Sequence, residues 1–196
     1  MTAIEKVKLA RDPKRPHLKD FIREICSDFE ELHGDRLVND DRGLVCGFGA
    51  IDDYKCLIMG HHKGATIEEN MEANFGMANP DGYRKAMRLA KLAERFHMPI
   101  VSFVDTPGAY PGKEAEERGQ AEAIAKSLEF FSRLKTPVVV VVTGEGGSGG
   151  AQKNHRLACA NVKKAILKAL KELKGLAPDA LLDARYAKLR AYGNFF

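Results

Sequence analysis

The stretch Pro99-Ile-Val-Ser-Phe-Val-Asp-Thr-Pro-Gly-Ala-Tyr-Pro-Gly112 decides the fold class of this chain. Its apolar first part predicts a buried β-strand over 99–104, and its second part predicts a turn with more glycine and proline than a simple connection needs. A second apolar run, Pro137-Val-Val-Val-Val-Val-Thr143, predicts a strand buried on both faces, and a glycine cluster over 144–150 follows it. Two strands with such turns at their carboxyl ends predict an α/β fold whose functional residues gather at these turns.

The remaining periodicities complete the predicted architecture. Apolar spacing predicts a helix over 17–33 that stops at Gly34, and two β-prone runs at 43–51 and 54–60 predict a hairpin. The stretch 61–79 has no clean period and is predicted to be mostly loop. A helix is predicted to begin at Asn79-Pro80-Asp81, with further helices over 115–134, 154–174 and 178–191. The predicted inner faces are Met87, Leu89, Ala90, Ala93 and Phe96 in the first of these helices, and Ile124, Leu128 and Phe131 in the second.

Length and composition indicate one compact soluble domain. The chain has 196 residues, of which 44% are hydrophobic and 30% charged. It has no apolar run of the ~18 residues that a membrane helix needs, and no apolar signal region at the N-terminus, so we expect a cytoplasmic protein. The four cysteines, Cys26, Cys46, Cys56 and Cys159, lack the paired spacing of a zinc site, which favours buried, reduced thiols and no metal in this chain.

The distribution of charge changes near residue 151. The whole chain has 31 Lys and Arg against 27 Asp and Glu, a net charge of +4. Residues 152–196 hold 10 basic and 3 acidic residues, a balance of +7, which leaves 21 against 24, or −3, for residues 1–151. Because a basic helical tail is usually a solvated face, we expect no nucleic-acid or membrane partner.

The glycine cluster has three possible interpretations. Gly144-Glu-Gly-Gly-Ser-Gly149 fits the G-x-G-x-x-G pattern of a dinucleotide-binding turn, but the next segment is lysine-rich and helical, and no Lys-Ser/Thr follows as in a P-loop. Unobstructed backbone N–H groups at a strand-to-helix turn could instead form an oxyanion hole. The third possibility is that the glycines only permit a tight turn.

Other side chains are weaker candidates. His61 and His62 could suggest a metal, but neighbours on a strand point in opposite directions and no third ligand is evident, which favours polar positioning or a surface location. The acids of Glu114-Ala-Glu-Glu117 suit the positive end of a helix and could equally serve catalysis. Ser102 and Ser148 lack a partnered histidine in any recognisable nucleophile motif.

Seven ordered motifs together resemble the carboxyltransferase α subunit of multi-subunit acetyl-CoA carboxylase. The order and spacing match over roughly residues 7–151. The motifs are Phe29-Glu-Glu-Leu-His-Gly-Asp-Arg36, Gly60-His-His-Lys-Gly64, Asn74-Phe-Gly-Met77, Gly82-Tyr-Arg-Lys85, Asp105-Thr-Pro-Gly-Ala-Tyr-Pro-Gly112, Ala115-Glu-Glu-Arg-Gly-Gln120 and Gly144-Glu-Gly-Gly-Ser-Gly-Gly-Ala151.

The resemblance implies a crotonase-like (ClpP/crotonase) fold of repeated ββα units, and a transferase role in fatty-acid synthesis. The family moves the carboxyl group of carboxybiotin, held on a separate biotin carboxyl carrier protein, to acetyl-CoA and so forms malonyl-CoA. Its α subunit pairs with a zinc-bearing β subunit as α2β2, within an ATP-dependent complex. By resemblance, Gly149, Gly150 and Ala151 supply backbone oxyanion donors, and Thr106, Pro107, Gly108, Ala109 and Tyr110 wall the biotin pocket.

The sequence departs from the family pattern after Ala151. It passes directly to Gln152-Lys-Asn-His-Arg156, and residues 152–196 resemble the family's far C-terminus, as if a block of the core were excised. We therefore expect an incomplete carboxyltransferase core over 1–151, a helical tail over 152–196, an exposed sheet edge at the valine strand, reduced stability and weak or no activity. Two alternatives remain: a non-catalytic remnant that binds the family's partners, and a crotonase-type acyl-CoA hydratase or hydrolase that uses Glu116 and Glu117.

Overall fold

The computed structural model describes residues 2–145 and 154–192, and it confirms the α/β architecture. The helices are α1 Ala3–Ala10, α2 Leu18–Ile25, α3 Ile67–Glu72, α4 Pro80–Arg95, α5 Lys113–Glu117, α6 Gln120–Arg133, α7 His155–Lys174 and α8 Pro178–Ala191. The strands are β1 Ser27–Glu31, β2 Leu44–Ile51, β3 Tyr54–His61, β4 Ile100–Val104 and β5 Val138–Val142.

The described strands form one mixed sheet in the order β1-β2-β3-β4-β5. β1, β2 and β3 are antiparallel neighbours, and the predicted hairpin is confirmed, since Ile51 pairs with Tyr54 across its turn. β3, β4 and β5 run parallel, with Gly60 beside Phe103 and Phe103 beside Val141. The carboxyl ends of β3, β4 and β5 therefore lie at the same edge of the sheet.

Helices cover both faces of the sheet, so the core has two halves. One half joins the sheet to α2 and α7 through Phe21, Ile25, Val101, Phe103, Ile166 and Leu170. The other half joins it to α4 and the end of α6 through Leu57, Met59, Leu89, Ala93, Ile100 and Leu134. Alternate residues of β3 and β4 serve the two halves, as the period of a strand requires.

The helix predicted over 17–33 is wrong in its second half. The helix ends at Ile25, Cys26 is extended, and β1 begins at Ser27. In β1, Glu30 pairs with Phe48 of the hairpin, so pairing with a distant strand outweighs the local helical period. The prediction of loop over 61–79 missed α3, where Thr66 and Glu69 form a capping box.

The helix predicted over 115–134 is two helices. Gly119 has φ +82° between α5 and α6, a left-handed conformation that glycine adopts readily and that breaks the helix. Two residues that were predicted to lie on the inner faces of helices are exposed. They are Leu128 on α6 and Phe96, which directly follows the last residue of α4. Leu89, Ala90 and Ala93 are buried as predicted, and the predictions of helices at 154–174 and 178–191 are confirmed within one residue.

The valine strand is not buried on both faces. Val139 and Val141 pack on the core, but Val140 is 57% exposed and Val142 is 44% exposed. β5 is the last strand of the described sheet and pairs only with β4. The predicted exposed sheet edge at this strand is therefore confirmed.

The cysteines are free thiols, as predicted. Cys46, Cys56 and Cys159 are buried and Cys26 is half-buried. Burial raises the pKa of the Cys26, Cys46 and Cys56 thiols to about 12, which disfavours the reactive thiolate. None of the described helices is long and apolar enough to cross a membrane.

Candidate functional site

The turn after β4 and the turn after β5 lie side by side. Their strands pair in register up to Val104 beside Val142. The Glu145 N–H donates to Asp105 Oδ1 at 3.1 Å, and the Thr106 N–H donates to the Glu145 carbonyl oxygen at 3.3 Å. The two turns singled out in the sequence are thus tied together at the carboxyl ends of parallel strands.

A buried ion-pair network fixes this junction. Asp105 is buried, and Arg15 Nη2 lies 2.5 Å from its Oδ2 while Lys63 Nζ lies 3.3 Å from its Oδ1. Lys63 also donates to Glu145, whose second oxygen accepts from Arg11 Nε at 2.6 Å. Burial alone would raise the pKa of the Glu145 carboxyl, but the hydrogen bonds from Lys63 and Arg11 lower it, so Glu145 is ionised at neutral pH.

Glycine is required where the backbone approaches Asp105. A Cβ atom on Gly144 would lie 2.2 Å from Asp105 Oδ1, and one on Gly76 would lie 2.9 Å from the Asp105 carbonyl oxygen. Gly76 also has φ +75°, which side chains rarely adopt. Both glycines therefore allow close packing around Asp105, Gly144 against its carboxylate and Gly76 against its backbone carbonyl.

The 105–112 turn is ordered by its own contacts. The Gly108 N–H donates to Thr106 Oγ1 at 3.1 Å, and the Tyr110 N–H donates to the Ala78 carbonyl at 3.0 Å. Gln120 Nε2 donates to the carbonyl oxygens of Ala78 and Tyr110, at 2.9 Å each. A Cβ on Gly112 would lie 2.3 Å from the Tyr110 ring, so this second glycine makes room for the tyrosine.

The five residues predicted to wall a pocket form one accessible turn. Thr106, Ala109 and Tyr110 are half-buried, and Pro107 and Gly108 are exposed. Gly149, Gly150 and Ala151, predicted as backbone donors, lie outside the described residues, as does Ser148. Their role remains a prediction.

Sequence reasoning missed a second buried network at the start of α4. Lys85 is fully buried, and its Nζ lies 2.5 Å from Asp40 Oδ1 and 2.8 Å from the Asp41 carbonyl oxygen. Burial opposes ionisation of Asp40, but the hydrogen bond from Lys85 prevails and lowers its pKa to about 2. Asp41 Oδ2 accepts the N–H of Asn79 at 2.9 Å, which joins the loop before β2 to the start of α4.

The same network reaches the loop between α5 and α6. Asp81 is buried, and Arg118 Nη2 lies 3.2 Å from its Oδ2. Arg84 donates to the Arg118 carbonyl at 2.5 Å. Arg84 Nη1 lies 3.7 Å from Asp35 Oδ2, and Arg118 Nη2 donates to Asn79 Oδ1 at 3.2 Å. The motifs that contain Asp35, Lys85 and Arg118 therefore meet in space, and no local pattern in the sequence indicates this meeting.

The acids at the start of α5 do not join either network. Glu114, Glu116 and Glu117 are exposed, and Glu117 pairs with Lys113 at 3.4 Å on the helix surface. This supports helix solvation as their role. The catalytic alternative for Glu116 and Glu117 has no buried partner among the described residues.

The paired histidines are half-buried and neutral. Burial, followed by the charge of Lys19, lowers the pKa of His62 to about 4, and burial lowers the pKa of His61. The Nδ1 atoms of both rings are buried without a hydrogen-bond partner in the described part of the chain. Within residues 2–145 and 154–192, no three His, Cys, Asp or Glu side chains lie together as metal ligands would.

Comparison with known proteins matches the chain to one family. The family model described as acetyl co-enzyme A carboxylase carboxyltransferase-like matches residues 1–152. The acetyl-coenzyme A carboxylase carboxyl transferase subunit alpha of Thermus thermophilus is 39% identical over 262 aligned positions, which cover 100% of this chain and 84% of the relative. The proteins of the same name from Pseudomonas fluorescens and Fusobacterium nucleatum are 54% and 56% identical over 151 residues, 77% of this chain in each case. This chain spans about half, 48%, of the length of those two relatives.

Solved structures show the same fold. The crystal structure of transcarboxylase 12S with hydrolysed methylmalonyl-coenzyme A matches 67% of this chain and 24% of its own, with a TM-score of 0.54 and 24% identity. The β subunit of Pseudomonas aeruginosa geranyl-CoA carboxylase matches 92% of this chain and 36% of its own, with a TM-score of 0.54 and 20% identity. The fold is therefore the crotonase-like fold of these carboxyltransferases, as predicted. Since the family model matches 152 of 196 residues and the Thermus relative aligns with the whole chain, this chain belongs to the family of acetyl-CoA carboxylase carboxyltransferase α subunits.

Proposed function

We propose that this chain acts as a carboxyltransferase α subunit, which moves the carboxyl group from carboxybiotin on a carrier protein to acetyl-CoA and gives malonyl-CoA. The observation that carries this proposal is the hydrogen bonding of Glu145 to Asp105 and Thr106, because it joins the two turns to which we assign the biotin pocket and the backbone donors. The Thr106–Tyr110 turn presents an accessible, ordered surface that suits one wall of a ligand pocket.

The proposed chemistry depends on backbone donors. The transfer develops negative charge on the ureido oxygen of biotin and on the thioester oxygen of the acetyl-CoA enolate. The N–H groups of Gly149, Gly150 and Ala151 would stabilise such an oxyanion, and one donor of this kind contributes about 2.7 to 4 kcal/mol. The Asp105 network holds the start of this turn against β4, so its role is to position the donors and not to transfer a proton. Biotin would supply the base of the transfer when bound, so no side chain of this chain is assigned a proton transfer.

The partners and location are inferred from the family. We propose that the chain pairs with a zinc-bearing β subunit as α2β2, accepts the biotin carboxyl carrier protein as substrate, and works in the cytoplasm. By the family resemblance, the zinc would then belong to that β subunit.

We further propose that this chain lacks a block of the family's core near residue 151. The Thermus alignment runs over 262 positions, 66 more than the 196 residues here, so at least 66 of its positions have no counterpart in this chain. The family model ends at residue 152, and the charge balance changes there from −3 to +7. The exposed face of β5 fits the loss of the residues that would follow it in the sheet.

Co-expression with a β subunit tests this proposal. We expect a complex that forms malonyl-CoA from carboxybiotin at least about tenfold more slowly than the Thermus α subunit with the same partner, a barrier difference of about 1.4 kcal/mol. Turnover equal to that of the full-length relative would contradict the proposed impairment.

A second candidate is a non-catalytic remnant that keeps the partner contacts. The exposure of β5 favours this candidate, because the glycine turn that is proposed to hold the backbone donors directly follows this incompletely covered strand. A complex with the β subunit but without malonyl-CoA would support this candidate. Activity on an acyl-CoA without biotin would instead support a hydratase or hydrolase, and the surface position of Glu116 and Glu117 argues against that outcome.

A further inference from the structure

A cleft of about 350 Å³ lies beside the two turns. It is bounded by the connection between α1 and α2, by the segment that follows β3, and by Glu145. Its charged lining side chains are Arg11, Arg15, Lys63 and Glu145. The cleft is separate from the Thr106–Tyr110 turn, which does not line it.

The described charges around this cleft do not balance. Arg11, Arg15 and Lys63 supply three positive charges, while Asp105 and Glu145 supply two negative ones. The side chains of Arg15 and Lys63 are only 2% and 12% exposed. The two buried cations are matched by the carboxylates of Asp105 and Glu145, so the surplus charge belongs to Arg11, which is 65% exposed and accessible to a further anion.

Histidine does not add a charge here. His17 is buried at the cleft, and burial followed by the charge of Arg15 lowers its pKa, so the ring is neutral at neutral pH. Its Nε2 donates to the Pro13 carbonyl at 3.3 Å, since a carbonyl can only accept. The one surplus positive charge is therefore that of Arg11, beside Lys63.

Glu145 shows what these two cations can hold. Its carboxylate bridges them, with one oxygen on Arg11 Nε at 2.6 Å and the other on Lys63 Nζ. The Arg11 side chain is 65% exposed and is held in the described structure only by this bond, so it can exchange one carboxylate for another. Charge-assisted bonds from two cations are the usual way in which proteins bind a carboxylate.

One wall of the cleft is a strained aromatic residue. Phe75 lines the cleft, is 48% exposed, and has φ +53° next to Asn74 with φ +46°. Two successive non-glycine residues in this conformation are unfavourable, and such strain concentrates at binding sites. The ring adds an apolar surface to the lining of the cleft.

We propose that Arg11 and Lys63 form a binding site for a small carboxylate with an apolar part, and that Glu145 occupies this site when no ligand is bound. The proposal does not depend on carboxyltransferase activity. It assigns Glu145 a second role as an internal competitor, besides its backbone contact with Asp105.

Sodium acetate is the probe that tests the site. Titration of the full chain is followed through the Arg11 Nε–H resonance and through the melting temperature, with sodium chloride at equal ionic strength as reference. We expect a saturable shift in the wild type, and in Glu145→Ala an affinity about tenfold higher, because the competing carboxylate is removed. Glu72→Ala is the matched control, since Glu72 pairs with Arg42 at 2.7 Å on the surface, and it should leave acetate binding unchanged.

Two results would overturn the proposal. One is a shift that does not saturate or that sodium chloride reproduces, and the other is equal acetate affinity in the wild type and Glu145→Ala. Arg11→Gln is the second test, because an exposed side chain can be replaced without unfolding the chain. This variant should lose at least about tenfold in acetate affinity, and retention of wild-type affinity would also exclude the site.

Discussion

β4 and β5 are parallel neighbours of five residues each, and both end in a glycine-containing turn, but they differ in burial. In β4, Ile100, Val101 and Phe103 are almost completely buried, whereas no valine of β5 is. β4 has strands on both sides, while β5 has a strand partner only on the β4 side among the described residues. The difference teaches that an apolar strand is buried only where neighbouring elements cover it, and we propose that part of the core that would cover β5 is absent.

Removal of the carboxylate that anchors the end of β4 should have a severe effect. Asp105→Ala leaves the buried Arg15 guanidinium without its partner, and we expect a loss of about 3 to 5 kcal/mol in the free energy of unfolding. Urea unfolding measures it. Asp183→Ala, at an exposed position on α8, is the control and should change stability by less than about 0.5 kcal/mol. Equal effects would show that the network does not hold the turns.

Matched truncations in the two strands sharpen the comparison. Val101→Ala creates a cavity in the core and should cost about 2 kcal/mol. Val140→Ala removes an exposed side chain and should cost less than about 0.5 kcal/mol. A similar loss at both positions in urea unfolding would mean that β5 is covered in solution.

Addition of one methyl group tests the contact between the two turns. Gly144→Ala forces a Cβ atom against the Asp105 carboxylate, and we expect a loss of about 1 to 3 kcal/mol. Gly175→Ala is the control, because its Cβ would meet no described atom within 4 Å. Thermal unfolding of the pair should separate them by several degrees, and identical melting temperatures would argue against close packing at Gly144.

Mild acid should destabilise the β3 end of the site. The pKa of His62 is lowered from 6.5 to about 4, so the unfolded chain binds its proton first as pH falls. Above pH 6.5 the ring is neutral in both the folded and the unfolded chain, so its titration does not change the free energy of unfolding. Between pH 6.5 and about pH 4 the free energy of unfolding falls, with a loss on the order of 1 kcal/mol at about pH 5. His17 and His61, whose pKa values are also lowered, act in the same direction. His62→Gln should reduce the slope of stability against pH, and an unchanged slope would assign it to other groups.

Local signals predicted much of the fold. The hairpin, the start of α4 at Asn79-Pro80 and the two C-terminal helices follow from turn residues, caps and periodicity, which act over a few residues. The helix predicted over 17–33 failed because β1 is stabilised by its pairing with β2, which the local period does not contain. The prediction that the valine strand is buried on both faces failed for a similar reason, since burial depends on residues outside the strand.

The candidate site was predicted in part. The two glycine turns were identified from sequence, and their contact follows from the parallel order of β4 and β5. The buried ion pairs were not predicted from the sequence, because Arg15 and Asp105 are separated by 90 positions, and Lys85 and Asp40 by 45. Nothing in the local sequence distinguishes such a buried lysine or arginine from a solvated one.

Insertion of the block that we propose to be missing tests the role of the chain after β5 most directly. The segment of the Thermus relative that would correspond to this block is placed between Ala151 and Gln152, and both forms are assayed with the same β subunit for malonyl-CoA formation. We expect the insertion to raise turnover by at least about tenfold and to make Val140→Lys destabilising, whereas that substitution is neutral without the insertion. Equal turnover and equal tolerance of Val140→Lys in the two forms would contradict the proposal that β5 lies exposed because part of the core is absent.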